Sequence, residues 1–198
     1  MNPRTKILGA ALAALVVLAG AGFALLQLRQ VQEGGAVYSN LVGGPFKLET
    51  QNGDTLSNED LKGKPFVIFF GFTRCPDVCP TSMLELSHLI ERLGPKADHM
   101  RYLFVSVDPE RDTPQLLKEY LSNFDKRLVG LVGTPQEISD LARAYRVYYE
   151  KVPTSSGYTV NHTATLFLMN ADGKLASTIA FGEDSDVAFK KLERLVGG

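Results

Sequence analysis

The chain has 198 residues, with two cysteines and three histidines. The cysteines stand close together in Phe72-Thr73-Arg74-Cys75-Pro76-Asp77-Val78-Cys79-Pro80. A thiolate attacks disulfides and binds soft metals, so a near pair of thiols admits three kinds of chemistry. One is a structural disulfide. Closing so short a loop removes little entropy from the unfolded chain, which leaves that role poorly motivated. Another is a redox dithiol, although the usual redox pair has two intervening residues and this one has three. The third, which the residues favour, is a soft-metal site. Two thiolates select copper(I) or zinc and need at least one further ligand.

His162 is the candidate for that ligand. It lies in Tyr158-Thr159-Val160-Asn161-His162-Thr163-Ala164-Thr165, just ahead of the strand-like run 165–169. His88 follows Cys79 by nine residues on one helical stretch. At 1.5 Å per residue it stands roughly 13 Å away along the axis, too far to share a metal. His99 precedes a strand and reads as a solvated loop residue at the opposite sheet edge. Met83 could offer a thioether but fits an apolar stripe, so packing is the better reading. Asp108 and Asp112, in Val107-Asp108-Pro109-Glu110-Arg111-Asp112-Thr113-Pro114, follow the second buried strand. They read either as caps of the next helix or as an acidic surround to the cysteines and a surface for partner docking.

The elements that would position these side chains can be read in order. Residues 46–50 alternate, and Asn52-Gly53 signals a hairpin turn. Residues 66–70 form a continuous apolar run suited to a strand buried on both faces. A helix is predicted from near Pro80 to Leu93, with Met83, Leu86, Leu89, Ile90 and Leu93 as its stripe. A strand over 102–107 precedes a helix opened by Thr113-Pro114, whose stripe is Leu116, Leu117, Tyr120, Leu121 and Phe124. A strand over 128–132 precedes a helix opened by Thr134-Pro135. Residues 147–152, 165–169 and 175–180 are strand-like, and a last helix covers roughly 184–196. Alternating strands and helices argue for an α/β sheet with parallel pairs, closed by an antiparallel β-β-α unit. A thioredoxin-like sheet satisfies this order. In such a sheet, loops at the carboxyl ends of parallel strands gather at one edge, where His162 can meet Cys75 and Cys79.

Residues 7–28 are uncharged, and as a helix they cover roughly 33 Å, enough for the hydrocarbon core of a bilayer. Arg4 and Lys6 before the run hold that end in the cytoplasm, so the remainder is exported. A membrane anchor is preferred over a cleaved signal peptide. Ala19-Gly20-Ala21 offers a cleavage pattern, but the apolar run continues past it. No Arg- and Ser-rich transit segment precedes the span, which favours a bacterial inner membrane with the domain in the periplasm. All 22 acidic residues follow Leu28, while three of the 21 basic ones (Arg4, Lys6, Arg29) flank the span, so the exported part carries a net charge of −4. That excludes a general nucleic-acid binder. The expected organisation is an anchor over 1–29, a glycine-containing linker over 30–44 and one domain over 45–198.

The sequence resembles the Sco/SenC family of copper-binding assembly factors of cytochrome c oxidase. The stretches that carry the likeness are Gly43-Gly44-Pro45-Phe46, Leu61-Lys62-Gly63-Lys64-Pro65, Gly71 through Pro80, Val105 through Pro114, and the single His162 before a strand. The resemblance implies a thioredoxin-like fold with an N-terminal β-hairpin and a second hairpin inserted near 154–161. It implies copper, as Cu(I) and Cu(II), held by Cys75, Cys79 and His162, with Cys75 and Cys79 also able to form a redox disulfide. It implies a metal-binding assembly factor rather than an enzyme, acting on the binuclear copper site of oxidase subunit II. The alternative is a thiol-disulfide oxidoreductase that keeps that site's cysteines reduced. Further partners implied are a periplasmic copper donor or a thiol reductant. The chain departs from the family's common Asp-His-Ser at Asn161-His162-Thr163, which removes a charge beside the imidazole.

Overall fold

The computed structural model describes residues 20–23, 41–155 and 157–197. The expected membrane span 7–28 lies outside the described residues except for 20–23. Among the described residues, no helix is long and apolar enough to cross a membrane. Most of the expected linker is also outside them. Its end is not free: the Gly43 N–H donates to the Ala144 carbonyl at 3.0 Å.

A seven-stranded sheet forms the frame. Its strands are β1 (Lys47–Thr50), β2 (Thr55–Ser57), β3 (Phe66–Gly71), β4 (Arg101–Ser106), β5 (Leu128–Val132), β8 (Thr165–Met169) and β9 (Leu175–Ala180). The separate pair β6 (Tyr149–Thr154) and β7 (Gly157–His162) stands between β5 and β8 in the chain. The helices are α1 (Val78–Leu93), α2 (Pro114–Leu121), α3 (Pro135–Ala144) and α4 (Ser185–Val196). The sheet order is β2-β1-β5-β4-β3-β8-β9. The pairs β3/β4 and β4/β5 are parallel, and the rest are antiparallel. This is the thioredoxin-like arrangement expected from the element order.

Residues 66–70 lack polar alternation because β3 is central and covered on both faces. All five are at most 3% exposed. Successive side chains then point to opposite faces. Phe69 packs on Phe104, which meets Tyr120 of α2. Phe70 packs instead on Tyr145, at the end of α3, and on Phe167. Gly71 ends the strand where a side chain cannot fit, since a Cβ there would stand 2.8 Å from the Phe104 ring.

The helix starts follow their capping chemistry. Thr113 caps α2 and Thr134 caps α3, each with proline in the first turn, and Glu137 completes a capping box with Thr134. Three elements differ from the sequence expectation. Helix α1 begins at Val78, not near Pro80, because Pro80 occupies a first-turn position whose missing N–H has no intrahelical partner anyway. The stripe assigned to α2 includes Leu116, which is exposed; Leu117 and Leu121 alone are buried within the helix. His162 ends a β-strand instead of lying in a loop.

Candidate metal centre

Parallel pairing of β3, β4 and β5 brings their carboxyl ends to one edge. The segment 72–77 leaves β3 there and enters α1, and the loop 107–113 leaves β4 beside it. Cys75 sits in the first and is half-buried; Cys79 sits in the first turn of α1 and is buried. The Thr81 N–H makes the first helical bond to the Asp77 carbonyl. The Cys79 N–H is therefore one of the unused donors of the helix start, and it points to Cys75 Sγ at 3.4 Å.

The two thiols differ electrically, chiefly through the hydrogen bond between them. The hydrogen bond from the Cys79 thiol is the largest influence, and with the backbone N–H groups of Cys79 and Asp77 it outweighs burial and holds Cys75 at about 4, far below the usual thiol value. Cys79 moves the other way. Its interaction with Cys75 and its burial both push its pKa up, so it keeps its proton. The pair is thus one thiolate and one thiol, and the helix start serves Cys75 more than the cysteine that lies on the helix.

His162 arrives from the other side on β7. Its Nε2 lies 3.3 Å from Cys79 Sγ, and its Nδ1 lies 3.1 Å from the Thr163 carbonyl. A carbonyl only accepts, so Nδ1 carries the proton and Nε2 presents its lone pair to the sulfur. The ring is held edge-on by Phe69 and Phe72, with centroids 6.0 and 5.7 Å away. Cys75, Cys79 and His162 form the one metal-capable His/Cys/Asp/Glu cluster among the described residues, with donor atoms within 4.8 Å of one another. Cys75 and His162 border an open depression of about 330 Å³ that Pro76, Val78 and Ala164 also line, while Cys79 is buried behind them.

The other sequence candidates do not join them. His88 and His99 are exposed, and Met83 is fully buried in the core. Asp108 and Asp112 are not helix caps, since Thr113 has that role. Both are buried, which leaves neither carboxylate available at a docking surface. Asp112 accepts from the Thr73 N–H (2.9 Å), the Thr73 hydroxyl (2.6 Å) and the Ser106 hydroxyl (2.6 Å). Asp108 accepts from Arg111 Nε and from the Tyr158 hydroxyl (2.7 Å). One acid therefore ties down the cysteine loop and the other ties down the hairpin that bears His162.

The sequence reading missed Thr73, Ser106, Arg111 and Tyr158. The one signal available was the spacing Tyr158-x-Val160-x-His162, which places all three on one face of a strand. It also assigned Tyr120 to packing alone. The Tyr120 hydroxyl is buried without a hydrogen-bond partner among the described residues. Burial, with Cys79, Cys75 and Asp112 nearby, pushes its pKa up.

A family model described as SCO1/SenC matches residues 35–197. The chain belongs to the SCO1/SenC family. Among solved structures, it resembles "Bradyrhizobium japonicum ScoI with copper bound" at 48% identity and a TM-score of 0.73, over 78% of this chain and 99% of that one. BsSco, described as "a member of the Sco family of cytochrome c oxidase assembly proteins" with "a disulfide switch", is 26% identical with a TM-score of 0.64, over 80% of this chain and 95% of that one. "Protein SCO2, mitochondrial" of Saccharomyces cerevisiae is 33% identical over 92% of this chain, which spans 65% of the yeast protein's length. In this Sco/SenC member the donor set is two sulfurs and one nitrogen, which suits a soft or borderline cation and disfavours magnesium or calcium.

Proposed function

We propose that this protein is a copper chaperone that binds copper through Cys75, Cys79 and His162 and delivers it to the binuclear site of cytochrome c oxidase subunit II. The observation that carries the reading is the convergence of those three donors within 4.8 Å, in a family whose Bradyrhizobium member was solved with copper. Copper is cargo here. The two sulfurs suit Cu(I), and the imidazole adds the nitrogen that Cu(II) prefers. The site borders an open depression, so a partner's ligands could approach the ion and exchange with these one at a time.

A second reading has its own support. Cys75 is a thiolate beside a thiol, the state in which one sulfur attacks a disulfide and the other resolves it. In that reading the protein reduces the cysteines of the oxidase site before copper arrives. The two are separated by His162, which a metal site needs and a dithiol does not. We further propose that residues 7–28 anchor the chain in a bacterial inner membrane, with the domain in the periplasm.

The test is His162→Ala, read by Cu(II) binding and by oxidase assembly in cells. Cu(I) should still bind to two sulfurs, more weakly. Cu(II) affinity should fall by roughly tenfold or more, and assembly should fail while the thiols still cycle. Normal Cu(II) spectra with normal assembly would favour the reductase.

A further inference from the structure

His162 is carried by an element that the main sheet does not hold. Among the described residues strand β7 pairs only with β6, and this two-stranded ribbon has no hydrogen-bonded neighbour in the seven-stranded sheet. Its base is tied by Thr163, whose N–H bonds the Tyr148 carbonyl at 2.9 Å. A ribbon fixed at its base alone can pivot, and a pivot would move His162 relative to the cysteines. What holds the far part of the ribbon therefore decides how well the third donor is placed.

Beyond the packing of Val160 and Tyr158 on the core, the far part is gripped by one polar cluster. Tyr158 lies four residues before His162, on the same face of β7, with the buried Val160 between them. Its hydroxyl donates to Asp108 Oδ1 at 2.7 Å. Arg111 Nη1 donates to its carbonyl at 2.8 Å, and the guanidinium lies over its ring with Cζ 3.6 Å from the centroid. Lys151 of β6 adds an ion pair to Glu110 at 2.6 Å, with its ammonium 4.8 Å from the same ring centroid. Asp108, fully buried, also accepts from Arg111 Nε. The Ser106 hydroxyl accepts from the Asp108 N–H and donates to Asp112, which in turn grips Thr73 in the cysteine loop. A single loop, 108–112, thus grips the ribbon with one carboxylate and the cysteine arm with the other.

We infer that Tyr158, through Asp108 and Arg111, is a positioning residue that latches the β6–β7 ribbon and keeps Nε2 of His162 at the cysteine pair. This inference rests on the copper reading for what His162 binds. The latch touches no donor atom and acts only by fixing where the ribbon lies. Releasing it removes the nitrogen and leaves both sulfurs in place, which makes His162 the ligand most readily withdrawn during transfer.

The test is Tyr158→Phe, which keeps the ring under Arg111 and deletes the hydroxyl, with Arg111→Lys as a second variant that keeps the charge and loses the fork. Each is made in the natural sequence and in His162→Ala. Cu(II) affinity should fall roughly three- to tenfold in the natural background, the scale of one typical net hydrogen bond. In His162→Ala the same change should have no further effect, because residues acting through one group are not additive. Without metal, Tyr158→Phe should accelerate amide exchange in β7 and shift the imidazole nitrogen resonances of His162. An equal loss in both backgrounds, or unaltered exchange and resonances in both variants, would overturn the latch. No effect of His162→Ala itself would instead overturn the copper assignment, so the two failures are distinct.

Discussion

Cys75 and Cys79 share a short motif yet differ in their proton, and that difference sets how a metal enters. Cys75, held at about 4 by its donors, is a thiolate at neutral pH, and Cys79 is a thiol. Loading both sulfurs with Cu(I) must therefore expel one proton, that of Cys79. Binding opposed by one proton strengthens by about tenfold per pH unit, and by about a hundredfold if two must leave. Between about pH 7 and 8, the expected release is one proton per ion, measured by calorimetry in buffers of different ionisation enthalpy. A release of two would show that Cys75 is protonated. The donors themselves were legible in the sequence, because cysteines so closely spaced are rare and His162 stood beside a strand. Their inequality was not. It arises first from the thiol–thiol hydrogen bond and the deeper burial of Cys79, with the Cys79 N–H pointing at Cys75 adding to it, and that N–H is free because α1 starts at Val78.

At the scale of elements, the site is held by two arms gripped by one loop. Asp112 is 3% exposed and accepts three hydrogen bonds, two of them from Thr73. Asn at that position supplies one acceptor oxygen and places an amide where an acceptor was needed. Asp112→Asn should destabilise the reduced domain by about 1–3 kcal/mol, the cost of leaving buried donors unmatched, and should weaken Cu(I) binding by loosening the Cys75 arm. Chemical denaturation beside a chelator competition measures both; a loss under 0.5 kcal/mol would remove Asp112 from this role. The buried strands and the proline-opened helices were readable because each follows a local rule, such as a continuous apolar run or Thr-Pro at a helix start. The acids were harder. Asp108 and Asp112 precede a real helix cap, so a capping role was the simplest reading, and the partners that matter most to the site, Tyr158 and Thr73, lie 50 and 39 residues away in the chain.

At the scale of the molecule, the domain is built so that one sheet edge gathers donors from the segment 72–77, from α1 and from an inserted ribbon. The alternation of strands and helices made the thioredoxin-like frame legible, since parallel pairs require crossovers. The separate ribbon was not readable from local pattern, which does not say which strands pair; the inserted hairpin near 154–161 came only with the family resemblance, and β6 and β7 form it. The proposed anchor belongs to this scale too. Mass spectrometry of the membrane-extracted protein should find residues 7–28 retained, and a mature N-terminus at Gly22 would contradict the anchor. The central claim is that the fold delivers three protein donors to one copper ion. X-ray absorption of the reduced, Cu(I)-loaded domain tests it most directly, comparing the natural protein with His162→Ala. The account predicts two sulfurs and one imidazole nitrogen around copper, with the nitrogen shell lost in the variant. Identical spectra showing sulfur alone in both proteins would contradict it.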